Sequence, residues 1–106
     1  MNWIALEDYT QIQKALLQTE PFLVFKHSIR CSISSMVKHR FEKAFDCKNV
    51  QLYFLDLIKY RSISNQLAED FNVEHQSPQI LLINHGNCIY HASHNAIDAD
   101  VIKDKI

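Results

Sequence analysis

The 106-residue sequence predicts a single α/β domain over residues 1–106, a mixed central β-sheet with helices on both faces. Three observations carry that prediction. Short apolar runs at 22–27, 50–57 and 79–84 have the length and composition of core strands. Between them lie segments whose apolar residues recur at helical spacing. The last long run leads through the only glycine of the chain into a further strand-like segment, as a hairpin does.

From the N-terminus, Trp3–Leu6 reads as a short edge strand. Thr10 followed by Gln13 fits a capping box, after which Tyr9, Ile12 and Leu16 share one helical face. Pro21 ends that segment, and Phe22–His27 reads as a buried strand. A helix is predicted from Ser32 to Phe45, with Ile33, Val37, Phe41 and Phe45 as an inward stripe and Met36 and Ala44 beside it. Val50–Leu57 is the next strand. Ser62–Phe71 is the next helix, with Ile63, Leu67 and Phe71 inward. Gln79–Asn84 is a core strand, Asn84–Asn87 a tight turn, and Cys88–Ala92 an antiparallel return. Asp98 can cap a last helix carrying Val101 and Ile102. Strand–helix–strand units make parallel neighbours, and the late hairpin adds an antiparallel edge. This is the element order of the thioredoxin fold.

Composition narrows the function. Apolar residues make up 47% and there are one glycine and two prolines, which excludes disorder. A net charge of −1 gives no basic face for nucleic acid. No segment approaches the roughly 20 apolar residues of a membrane span, and MNWIALEDYTQ lacks the basic-then-apolar pattern of a signal peptide. Cysteines stand at 31, 47 and 88, an odd number, which reads as free thiols in a reducing cytoplasm.

One of the three has a special place. Cys31 falls between a core strand and the head of the next helix, where unpaired backbone N–H groups and the positive helix end favour thiolate over thiol. Lys26, Arg30, Lys38, Arg40 and Lys43 add positive charge, against Glu42 alone. The thiolate is the nucleophile of thiol–disulfide exchange, and a basic setting suits an anionic small thiol. The competing reading is an inert small apolar residue. Three positions on stands Ser34, where a dithiol motif has its resolving cysteine. Cys31-Ser32-Ile33-Ser34 therefore describes a one-cysteine enzyme that stops at a mixed disulfide and needs an external thiol for release. Ser34 can hydrogen-bond the thiolate, or be a plain first-turn serine. His27, at the end of the strand leading to Cys31, can help hold the thiolate or merely pack.

Ser77-Pro78, just before a core strand, suits a cis bond. The backbone of Ser77 would there be free to pair with an extended substrate segment. The alternative is an ordinary trans proline at a strand start. Cys47 lies beyond the second helix and Cys88 beyond the hairpin turn, so both are expected to be remote from Cys31 and not to resolve it. His75, His85, Cys88, His91 and His94 crowd together in sequence. They do not converge as zinc ligands would, so no metal is expected.

The residues FKHSIRCSIS (25–34), EHQSPQILLINHG (74–86) and IYHASHNAI (89–97) resemble the monothiol bacilliredoxins, bacillithiol-system redox proteins of the thioredoxin superfamily. The resemblance covers nearly the whole chain. The family's Thr-Cys-Pro-Ile reads Arg30-Cys31-Ser32-Ile33 here, and its His-Glu-Ser-Pro-Gln reads His75-Gln76-Ser77-Pro78-Gln79. It implies that Cys31 removes bacillithiol from S-thiolated proteins and ends as a Cys31–bacillithiol disulfide. The small thiol is then a co-substrate and no bound cofactor is required. Ser32 in place of proline adds a backbone N–H donor, and Arg30 adds a charge able to grip a carboxylate. The expected protein is a cytoplasmic monomer whose partners are S-thiolated proteins and a small thiol, without nucleic acid, membrane or metal. The rival is a non-enzymatic thioredoxin-like docking or oxidant-sensing module. An iron–sulfur carrier is a third reading, but the chain lacks the glycine-containing motif of the CxxS glutaredoxins.

Overall fold

The computed structural model describes residues 1–106. Its elements run β1 (Trp3–Ala5), α1 (Thr10–Ala15), β2 (Phe22–His27), α2 (Ser32–Ala44), β3 (Gln51–Asp56), α3 (Arg61–Phe71), β4 (Gln79–Asn84), β5 (Asn87–Ser93), a 3-10 turn (His94–Ala96) and α4 (Ala99–Lys105). The five strands form one sheet in the order β1-β3-β2-β4-β5. β3 is parallel to both β1 and β2, while β4 is antiparallel to β2 and β5 to β4. The architecture expected from the sequence is the one observed.

Strand alternation divides the core in two. Phe22, Val24, Leu81 and Ile83 face one side, where Ile12 of α1 and Ile63 and Leu67 of α3 cover them. Leu23, Phe25, Ile80 and Leu82 face the other, under Val37 and Phe41 of α2 and Ile102 of α4. All six residues of β2 are buried, because helices cover both its faces and strands flank both its edges. The register places the functional end of the sheet. Lys26 pairs with Gln79, so the loop before β4 lies at the end where β2 runs out towards Cys31. Phe22 pairs with Ile83, and Ile83 with Cys88, at the opposite end.

Local details correct the expectations in two places. Thr10 does not cap α1: Asp8 Oδ1 accepts from the Thr10 N–H at 2.9 Å, and Gln11 Oε1 accepts from the N–H groups of Glu7 and Asp8 at 2.8 and 3.0 Å. An Asp two residues ahead closes this turn through its own side chain, which leaves the threonine nothing to satisfy. Ile33 and Met36 do not face the core but are 53% and 60% exposed. The buried line of α2 instead runs Ser34, Val37, Phe41. Asp98 caps α4 as expected, accepting from the Asp100 N–H at 2.9 Å. The hairpin turns through His85 and Gly86 at φ 53° and 80°, the left-handed pair that a two-residue connection demands.

Candidate active site

Cys31 is the N-cap residue of α2, in extended conformation at φ −102° and ψ 117°. Its N–H donates to the Ser28 carbonyl at 3.0 Å, and its carbonyl accepts from Ser35 at 3.1 Å, the first bond of the helix. The thiol makes no capping bond. The N–H groups of Ser32, Ile33 and Ser34 have no backbone acceptor, so three donors stand open at the helix head beside the sulfur. No acidic residue occupies the first turn. Cys31 is half-buried and lines none of the four surface cavities. Its sequence neighbours Ile29 and Ile33 are both 53% exposed.

Beneath Cys31 is a closed polar contact. Ser34 is fully buried, and its Oγ lies 2.6 Å from His27 Nδ1 and accepts from the Ser28 N–H at 3.2 Å. N-cap and N3 side chains occupy the same end of a helix, so Ser34 is the neighbour of Cys31 by helix geometry. Those polar partners explain why Ser34, not Ile33, turns inward. Burial pushes the His27 imidazole below its ordinary pKa, and the Lys38 charge adds to this against Asp56 and Glu42. His27 is therefore neutral at pH 7, its ring against Phe54 at 5.4 Å.

The second strip of the site is the loop before β4. The Ser77–Pro78 bond is cis. Pro78 is buried, and its carbonyl accepts from the His94 N–H at 3.0 Å. Neither the N–H nor the C=O of Ser77 has a backbone partner, which leaves both for an incoming extended chain. Arg30 and Ser32 are exposed at the helix head, and Arg30 joins none of the chain's three ion pairs.

The positive flank read around Cys31 is dispersed in space. Lys38 pairs with Glu42 at 2.9 Å and lies over the rings of Trp3 and Phe54 at 5.1 and 5.3 Å. Trp3 Nε1 donates to the same Glu42 carboxylate at 2.6 Å. Arg40 reaches the Ile97 carbonyl, and Lys26 points inward and is buried. Sequence reasoning missed the Trp3–Glu42–Lys38 clamp and the burial of Lys26. An i,i+4 Lys–Glu pair was the one available signal, and it says nothing of Trp3.

All three cysteines are free. Cys47 lies past the far end of α2, a 13-residue helix about 20 Å long. Cys88 sits at the opposite end of the sheet from Cys31, and burial pushes its thiol above the ordinary pKa. Neither can reach Cys31 in the folded chain. No three His, Cys, Asp or Glu side chains converge as metal ligands would, and no helix is long and apolar enough to cross a membrane.

Comparison with known proteins agrees with this geometry. A family model described as Monothiol bacilliredoxin BrxC matches residues 4–102. A solved structure described as a candidate oxidoreductase with a thioredoxin fold superposes with a TM-score of 0.86 at 25% identity, over 96% of this chain and 91% of that one. Thioredoxin from Trypanosoma brucei brucei gives 0.78 at 12% identity, over 98% and 87%. A mutant thioredoxin from Halobacterium salinarum gives 0.73 at 16% identity, over 98% and 87%.

Proposed function

The chain belongs to the monothiol bacilliredoxin family and has the fold of a thiol oxidoreductase, and from that premise we propose that it removes bacillithiol from protein mixed disulfides through Cys31. The observation that carries the reading is a lone half-buried thiol at an open helix head, with serine where a resolving cysteine would stand. The Cys31 thiolate attacks the bacillithiol sulfur of the mixed disulfide. A Cys31–bacillithiol disulfide forms, the target's S–S bond breaks, and the target leaves as a thiolate that takes a proton from water. A second small thiol, as thiolate, attacks the adduct, becomes part of a small-molecule disulfide and frees Cys31.

Each neighbouring residue has a task in this scheme. The N–H groups of Ser32 and Ile33 face the sulfur end of α2 and stabilise negative charge there. Ser34 orients against Cys31 and is itself held by His27 and the Ser28 N–H. Ser77, with Pro78 behind it, pairs with the backbone of the substrate segment. Arg30 is placed to attract a carboxylate of the small thiol. The protein acts as a cytoplasmic monomer, with S-thiolated proteins and the small thiol as its partners and no bound metal or cofactor.

Mass spectrometry with peptide mapping, after mixing reduced protein with bacillithiol disulfide and in parallel with glutathione disulfide, tests the reading. A single adduct on Cys31, faster with bacillithiol and reversed by free thiol, is expected. Labelling spread over all three cysteines, or none, defeats it and favours a docking module that uses the proline loop and the strand edge.

A further inference from the structure

Lys26 is 0% exposed, as are Ser64 and, at 1%, Gln79. Lys26 shares a sheet face with Phe22 and Val24, the face covered by α3. Its Nζ donates one hydrogen bond, to the Ser64 carbonyl of α3 at 3.4 Å. The Ser64 hydroxyl lies 3.0 Å from Nδ1 of His75 in the loop before β4. Gln79 is the cross-strand partner of Lys26, so the two side chains rise on the same face. Gln79 Nε2 donates to the Glu74 carbonyl at 3.0 Å, while its Oε1 is buried without a partner. Thus β2, α3 and both ends of the loop 74–78 meet in one polar cluster, buried at Lys26, Ser64 and Gln79. Its unmet groups are complementary: an amide oxygen and two of the three ammonium donors.

A buried ammonium with one long hydrogen bond and no carboxylate is costly. The titratable groups whose charges bear on it are Arg61 of α3, His75 of the loop and, from further along the sheet, the Cys88 thiol of β5, and none carries a negative charge at pH 7. A methionine would fill the space without that cost. We propose that Lys26 is a positioning residue whose buried ammonium, acting through Ser64 of α3 and its contact with His75, holds the loop 74–78 in the shape that presents Ser77 to a mixed-disulfide substrate. The inference rests on the proposed function in taking that loop as the substrate's docking strip. Burial, with Arg61 adding to it, lowers the Lys26 pKa to about 8. The tether is therefore lost between neutral pH and about pH 9, a window set by that value.

Lys26→Met and Lys26→Gln test it. Four quantities are read: thermal midpoint, amide hydrogen exchange of residues 74–78, KM and kcat for a peptide mixed disulfide, and alkylation of Cys31 by iodoacetamide. Lys26→Met is expected to raise the thermal midpoint at pH 7, to speed exchange in the loop, and to raise KM by about tenfold with kcat changed less. Alkylation of Cys31 should stay at the wild-type rate. In wild type KM should rise from pH 7 to 9, and in Lys26→Met this step should vanish. An unchanged KM and unchanged loop exchange, or a lowered thermal midpoint at pH 7, overturns the inference. If wild type performs no exchange with mixed disulfides, the proposed function fails, and loop hydrogen exchange alone then decides the role of Lys26.

Discussion

His27 Nδ1 and Ser34 Oγ are 2.6 Å apart, and this buried contact ties the last residue of β2 to the first turn of α2 across the loop that carries Cys31. The Ser34 hydroxyl already accepts from the Ser28 N–H. It therefore has one acceptor site and one proton left, and His27 takes one of them. A protonated His27 must donate, which frees the Ser34 proton for a negative sulfur at the helix head. A neutral His27 can leave that proton engaged.

Replacing Ser34 checks this arrangement directly. Ser34→Ala leaves the His27 nitrogen and the Ser28 N–H unpaired in a buried place, expected to destabilise by about 1–3 kcal/mol. Denaturant unfolding measures it, and exchange at Cys31 should slow in the same variant. Ser34→Cys is expected to give an internal disulfide with Cys31 after treatment with an oxidised small thiol, seen as a loss of two hydrogens in the intact mass. A stable mixed disulfide in that variant would mean that the two side chains do not face each other.

Stability should depend on pH through His27 and His75. Both have folded pKa values below their ordinary 6.5, chiefly by burial. Below pH 6.5 the unfolded chain binds the protons more readily, so stability present above that pH is lost as pH falls towards the folded values. The thermal midpoint should therefore drop from pH 7 to pH 5. His27→Gln, which keeps a polar partner for Ser34 without titrating, should flatten part of that slope.

Cysteine replacement separates the monothiol cycle from a hidden dithiol one. Cys31→Ser should abolish exchange with mixed disulfides. Cys47→Ser and Cys88→Ser should keep most of it, because both thiols lie at the far ends of α2 and of the sheet. Turnover assayed with a peptide mixed disulfide decides it. A folded Cys88→Ser protein without activity would require a different cycle.

The hairpin offers a stability check remote from the site. Gly86 has φ 80° with no atom within 4 Å of an added Cβ. Gly86→Ala should therefore cost about 1 kcal/mol through backbone strain alone. That is roughly 4 °C in thermal midpoint for a domain of this size, with exchange at Cys31 unchanged.

Much of the fold was legible because its signals are local. A run such as Phe22–His27 between Pro21 and a polar loop, a glycine after His85, and an aspartate ahead of Ala99 each act within a few residues. They matched the observed elements closely. The same holds for Cys31 at the head of α2, since strand end and helix start are both written in the neighbouring periodicity. The stripe on α2 was misread by one residue because hydrophobicity alone chooses Ile33 over Ser34. The choice is reversed by hydrogen-bond partners on another element.

By itself, then, the sequence determined the element order, the mixed sheet, the single cysteine at a helix head and the serine that makes it a one-thiol site. Only the tertiary structure decided which charges reach that site. Lys26 is buried against α3 and Lys38 is clamped by Glu42 and Trp3. Partners 38 or 39 positions apart in sequence meet there because β3 pairs between β1 and β2 and α3 packs on the face of Lys26. Such contacts arise from which strands become neighbours, and no local periodicity records that choice.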